Sequence, residues 1–172
     1  KREGKSPGLL WLHPGPSGQH RPRFDMLLSH LVNQGFVVIA PNVRGSKGYG
    51  RDYEDLNNHD WGGGDLRDAG AAYQFLVQGR YVNPKRVGVG GFGYGGYLAL
   101  LAAQKLAVPF GAVVSIGGPT NLVTLAKTTR KDLDRYLERE MGKPDADPAL
   151  FKDRSPITWV DRLKTPTLVL QG

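Results

Sequence analysis

Five of the seven positions from Gly90 to Gly96 are glycine. A backbone so free of Cβ atoms adopts dihedrals closed to other residues, or is approached closely by something else. Two chemistries are built on such a turn. In the pattern G-x-G-x-x-G the glycines let a dinucleotide pyrophosphate rest on a helix N-terminus. It is met literally by Gly91-Phe92-Gly93-Tyr94-Gly95-Gly96, and again from Gly88 to Gly93. In the pattern G-x-S-x-G a strained strand-to-helix turn lifts a nucleophilic serine for acyl transfer. Gly91-Phe92-Gly93-Tyr94-Gly95 fits that frame at every position but the central one, where Gly93 stands in place of the hydroxyl.

Acyl transfer also needs two backbone N–H groups around the developing oxyanion, one just after the nucleophile and one on a loop following an earlier strand. The first falls to Tyr94. The second falls to the segment His13-Pro14-Gly15-Pro16, where Gly15 keeps its N–H. His13 is read as shaping that loop rather than transferring protons. His20, His30 and His59 have no carboxylate partners at metal-ligand spacing and are read as surface residues. Ser46 lies in a different loop from the turn and reads as a loop hydrogen-bonder.

Both readings need a strand before the glycines and a helix after them. Arg86 to Gly90 supplies a β-branched run, and Tyr94 to Leu106 a Leu/Ala-rich segment free of proline. Earlier, Gly8 to His13 reads as a buried strand closed by Pro14-Gly15-Pro16. A helix is expected near Phe24 to Asn33, with Phe24, Leu27, Leu28, Leu31 and Val32 as one buried stripe and Gly35 as its C-terminal stop. Phe36 to Ala40 is a strand apolar on both faces, as a parallel sheet requires. Residues 42–64 read as a long functional loop. Asp65 and Asp68 mark a helix start, with Leu66, Ala69, Tyr73, Leu76 and Val77 on its inner face. Asn83-Pro84 turns the chain into the next strand. Gly111 to Ile116 is another strand, Asn121 to Met141 a charged helical insertion carrying Leu133, Leu137 and Met141, and Thr167 to Gln171 a last strand. Alternation of strands and helices gives an α/β fold with a mostly parallel sheet covered on both faces.

That order argues against the cofactor. A dinucleotide fold places its fingerprint in the first strand-helix unit and an acidic residue about 20 positions on. Here two such units come first, and after the strand ending at Ile116 no Asp or Glu occurs until Asp132. No cofactor is expected.

The bulk composition sets the remaining bounds. The chain has 172 residues, 40% of them hydrophobic, enough for one domain with a sizeable core. The net charge of +7 comes from Lys and Arg interleaved with Asp and Glu, so it reads as a solvated surface and not a nucleic-acid footprint. With no cysteine there are neither disulfides nor thiolate metal sites. No apolar run reaches membrane-spanning length, and Lys1 to Lys5 lacks the apolar core of a signal peptide. That leans weakly toward the cytoplasm without fixing a compartment. The strand-like end at Gly172 suggests a piece of a longer polypeptide.

Several motifs in series resemble the prolyl oligopeptidase family of serine peptidases, in its acylaminoacyl-peptidase and dipeptidyl-peptidase-like branch. His13-Pro14-Gly15-Pro16 is similar to that family's His-Gly-Gly-Pro oxyanion loop. The run from Asn42 to Gly50 is similar to its Asn-x-Arg-Gly-Ser-x-Gly-Tyr-Gly signature. Trp61-Gly62 with Asp65 and Asp68, then Gly91 to Tyr97, then Ser155-Pro156-Ile157, continue the likeness in the same order. The resemblance implies an α/β-hydrolase peptidase domain, incomplete at its C-terminal part. A β-propeller is expected before Lys1, and the triad Asp and His after Gly172. It implies peptide or N-acyl-peptide substrates, no cofactor and no metal, with His13, Arg44 and Tyr94 contacting substrate or ordering its loop. Homo-oligomerisation stays open.

Two positions depart from the family pattern. Pro14 replaces the first glycine of the oxyanion loop but leaves Gly15 as donor. Gly93 replaces the serine, which predicts an inactive chain. In serine proteases without a triad, the oxyanion hole and binding alone leave roughly 10³–10⁴ over water. The alternatives are a non-catalytic peptide-binding domain and an esterase with the same turn.

Overall fold

The computed structural model describes residues 6–172. Five strands, β1 (Ser6–Leu12), β2 (Val37–Ile39), β3 (Val82–Phe92), β4 (Ala112–Ile116) and β5 (Thr167–Leu170), form one sheet in the order β2-β1-β3-β4-β5. Every neighbouring pair is parallel. All strands therefore point their C-terminal ends to the same edge, where β1 is followed by His13 and β3 by Gly93. The expected α/β layering holds.

β3 lies at the centre, and its sequence shows why. Val87 and Val89 are fully buried, each burial being worth about 1.5–3 kcal/mol. The glycine between Val89 and Gly91 has a packing reason. A Cβ on Gly90 would lie 2.9 Å from Trp11 Cζ3 and 3.0 Å from the Val114 carbonyl oxygen, so the indole of β1 occupies its place.

Two helices carry the core. Helix α3 (Gly64–Gln78) buries Leu66, Ala69, Ala72, Tyr73 and Leu76. Helix α4 (Tyr94–Lys105) is buried at almost every position, as befits a helix packed on a sheet on one side and other helices on the other. Tyr97, Leu98, Ala99, Leu101 and Ala102 are at most 1% exposed.

Helix α1 (Met26–Asn33) forms as expected and ends in Gly35 at φ 92°, where the Gly35 and Phe36 N–H groups cap the Val32 and Leu31 carbonyls. Its stripe, however, is not buried. Phe24 is 81% exposed and Val32 52%, because α1 packs chiefly on β2, an edge strand of the described sheet that is itself half-buried.

Four further boundaries differ from the sequence reading. The loop 42–64 contains a one-turn helix, α2 (Arg51–Asp55). Asn83-Pro84 lies inside β3, which starts at Val82. The insertion is two helices, α5 (Leu122–Thr128) and α6 (Lys131–Met141), separated where Thr129 and Arg130 turn extended. A further helix, α7 (Pro148–Asp153), is capped by the Asp147 carboxylate. A 3-10 helix (Pro156–Arg162) then leads to β5.

Candidate active site

The glycine cluster forms the tight turn from β3 into α4. Gly93 sits at φ 52°, ψ −117°, a conformation strained for any residue with a Cβ. Its N–H donates to the Ile116 carbonyl at 2.7 Å, and its carbonyl accepts the Tyr97 N–H at 3.0 Å, so the turn is tied to β4 and starts the helix.

Gly91, Gly93 and Gly95 are there for two different reasons. A Cβ on Gly91 would lie 2.5 Å from the Leu12 carbonyl oxygen and 2.6 Å from the Gly95 carbonyl carbon. A Cβ on Gly95 would strike the Leu12 carbonyl, with the His13 oxygen 2.9 Å away. These two let β3 and α4 close on the end of β1. A Cβ on Gly93 would meet no heavy atom within 4 Å. Position 93 thus faces open space at the C-terminal edge of the sheet.

Next to that opening runs the loop after β1. Gly15 adopts φ 86°, reserved for glycine here. His13 is 2% exposed and packs inside the loop. Its Nδ1 is 2.9 Å from the Gly15 oxygen, and its Nε2 is 2.9 Å from Ser46 Oγ. A carbonyl only accepts, so Nδ1 carries the proton and donates it to Gly15, while the one hydroxyl proton of Ser46 goes to the Val43 carbonyl. Burial, followed by the nearby His20, pulls the His13 pKa down to about 4, so the ring is neutral at physiological pH. Ser46 is fully buried, and its Oγ also lies 2.6 Å from the Val43 oxygen. His13 and Ser46 are thus structural links between the β1 and β2 loops.

His20 is not a surface residue. It is half-buried, with Nε2 3.2 Å from the Trp11 oxygen and its ring 5.6 Å from that of His13. Its backbone is clamped by Asn42, which accepts the His20 N–H at 2.7 Å and donates to its oxygen at 3.0 Å. Sequence reasoning missed this because the partner Asn42 lies 22 residues away.

Tyr94 was expected to offer its N–H and also to meet substrate. The N–H heads α4, while the phenol is 5% exposed and points inward. Its hydroxyl donates to the Asp65 carboxylate and accepts from Asn57 Nδ2 at 2.8 Å. Trp61 packs edge-on against the ring at 5.0 Å. Asp65 is fully buried and also accepts the Gly62 and Leu66 N–H groups, at 3.0 and 2.7 Å. Burial pushes its carboxyl up to about 6 against the pull of these hydrogen bonds, and burial likewise raises the Tyr94 phenol well above its ordinary value. Asn57 and Asp65, which the sequence did not single out as site residues, therefore fix the residue that follows Gly93. Asp65 does begin α3 as expected. Asp68 does not cap it: the Asp60 carboxylate takes the Gly64 N–H at 2.8 Å, while Asp68 binds Arg44.

Arg44 is held by both oxygens of Asp68. Its backbone N–H and Nε donate to Oδ2 at 2.9 and 2.8 Å, and a terminal nitrogen to Oδ1 at 2.7 Å. The guanidinium braces the 42–50 segment against α3, which is a loop-ordering arrangement. Among the described residues no helix is long and apolar enough to cross a membrane.

Residues 22–172 match the prolyl oligopeptidase family, Peptidase_S9. The chain belongs to that family. It is 32% identical to dipeptidyl aminopeptidase BIII of Pseudoxanthomonas mexicana, a match covering the whole chain and 26% of that protein. It is 31% identical to the uncharacterized peptidase YtmA of Bacillus subtilis (strain 168), covering 98% of the chain and 63% of that protein. The structure superposes on a puromycin-hydrolyzing peptidase of Mycobacterium tuberculosis with TM-score 0.92 and 33% identity, over 99% of the chain and 26% of that structure. Parallel order and likeness together make this the α/β-hydrolase fold. The chain spans about a quarter of the length of the first curated relatives it matches.

Proposed function

We propose that this chain is the portion of a peptidase-family α/β-hydrolase domain that carries the nucleophile turn and the oxyanion loop, with glycine at the nucleophile position. The observation that carries this reading is the division of labour in Gly91-Phe92-Gly93-Tyr94-Gly95. The outer glycines are required by close backbone packing, whereas residue 93 alone has room in front of it and a strained conformation that packing does not demand. A turn built this way presents one side chain to a cleft. The N–H groups of Tyr94 and Gly15 are the oxyanion donors, at the ends of adjoining strands β3 and β1. The triad acid and histidine are assigned to residues beyond 172, where this fold brings them after the nucleophile.

With glycine at 93 no oxygen is available to form an acyl-enzyme, and glycine also relieves a strain of about 1–2 kcal/mol. The chain as written is therefore a peptide-binding domain with the chemistry removed. Gly93→Ser in the full-length protein tests this with an N-acyl peptide and an acyl ester. The expected result is hydrolysis rising at least 100-fold above the unsubstituted protein, since covalent catalysis is restored. An unchanged rate in a folded, soluble variant would overturn the assignment.

A further inference from the structure

The loops after β1 and β2 border an open concavity of about 290 Å³, lined by Ser17, Gln19, Arg21, Arg23 and Lys47. Three cations and no carboxylate line it. Among the described residues none of the three makes an ion pair. The nearest acid in sequence, Asp25, is engaged in capping α1 through the Leu28 N–H at 2.9 Å.

The concavity is held in shape by the loops that form the candidate site. Arg21 Nε donates to Gln19 Oε1 at 2.6 Å, which orients the guanidinium. Gly48 adopts φ 93°, open to glycine, and the Gln19 carboxamide packs into the space its missing side chain leaves. Lys47 follows Ser46, which is bonded to His13 in the loop that carries Gly15. On the other side Ser17 Oγ lies 3.3 Å from the Tyr136 hydroxyl of α6. The cations therefore flank the loop assigned to the oxyanion, at the same edge of the sheet as Gly93.

We propose that Arg21, Arg23 and Lys47 form a carboxylate subsite beside the cleft, taking the free C-terminus or an acidic side chain of a bound peptide. Planar guanidinium groups match a carboxylate with paired N–H donors, and the ammonium adds a third charge. Three unpaired like charges around one hollow repel one another, and an anionic ligand relieves that repulsion. The inference rests on the peptide-cleft reading above.

The test is calorimetric titration of the full-length protein, which needs no turnover. The probes are an N-acetylated alanine tripeptide with a free C-terminal carboxylate, its C-terminal amide, and an amide version with one glutamate. Carboxylate-bearing peptides are expected to bind about tenfold more tightly than the neutral amide. The advantage shrinks as salt is raised. Simultaneous Arg21→Ala, Arg23→Ala and Lys47→Ala substitution abolishes the preference but keeps amide binding. A control variant, Arg80→Ala with Lys85→Ala and Arg86→Ala, removes the same charge from exposed positions at the opposite end of β3 and keeps the preference. Whether the free terminus or the glutamate gains more identifies the source of the carboxylate. Equal binding of acid and amide, or a preference that survives the triple substitution, overturns the subsite alone. Failure of every peptide, the amide included, overturns the cleft reading and the subsite with it.

Discussion

Alanine at Gly91 and alanine at Gly93 perturb the same turn through separate mechanisms, and the structure sets their order. At Gly91 the added Cβ would sit 2.5 Å from the Leu12 carbonyl oxygen, about 0.8 Å inside the ~3.3 Å at which carbon meets oxygen, and 2.6 Å from the Gly95 carbonyl carbon. Both obstacles are backbone at the sheet centre, so β1 and α4 must separate. Overpacking of this kind costs 1–3 kcal/mol when side chains yield and more when backbone must, so we set it above about 4 kcal/mol. At Gly93 there is no overlap, and the cost is the strain of φ 52° alone, about 1–2 kcal/mol. At about 2–4 °C per kcal/mol for a domain of this size, Gly91→Ala is expected to lower Tm by 8 °C or more and Gly93→Ala by roughly 2–8 °C. Thermal unfolding followed by tryptophan fluorescence measures both, since Trp11 and Trp61 are buried near the turn. An equal loss for the two variants, or a larger loss for Gly93→Ala, would refute the steric account.

Other substitutions probe the supports of the site. For Asp65, the native carboxyl titrates near 6 against 3.8 in the unfolded chain, so its stabilising contribution is full below pH 4 and is lost as pH rises through 6, by about 3 kcal/mol. His13 has the opposite sign: with its native pKa near 4 its contribution is full above pH 6.5 and lost as pH falls through 4, again by about 3 kcal/mol. Tm profiles from pH 4 to 7 are expected to tilt in opposite directions for Asp65→Asn and His13→Gln relative to the unsubstituted protein, and parallel profiles would contradict both assignments. Arg44→Lys keeps the charge but breaks the paired contact with Asp68. Because both side chains are about a third exposed, the expected loss in chemical denaturation is about 1 kcal/mol, and a loss above 3 kcal/mol would mean the pair does more than brace the loop.

The parts legible in the sequence were those whose signals are local. β1, β4, β5, α3 and α4 announce themselves by runs and periods of apolar residues, and the strand-turn-helix at Gly93 by its glycines. What escaped depends on what lies opposite in space. The apolar stripe of α1 has a proper helical period, yet no period tells whether the neighbour is a central strand or an edge one, and here it is the edge. Asp65 looked like a helix-start residue because that is its local role, while its bond to Tyr94 spans 29 residues. The motif marks Gly93 as the central position, but says nothing of why Gly91 and Gly95 are glycine. That reason lies across the sheet, in the Leu12 carbonyl that both glycines admit and that position 93 does not meet. The start of α7 was legible in principle, since Asp147-Pro148 is a cap followed by a proline at the first helical position.

The unequal glycines also foretell how this turn drifts over generations. Selection for a stable fold guards residues 91 and 95 whether or not anything is cleaved, because exchanging either disturbs the contact with β1. Residue 93 answers to a different pressure: a small side chain there meets no neighbour and costs only the strain of the turn. Descendants that abandon or regain a reaction are expected to differ at the middle of the motif while its two shoulders persist.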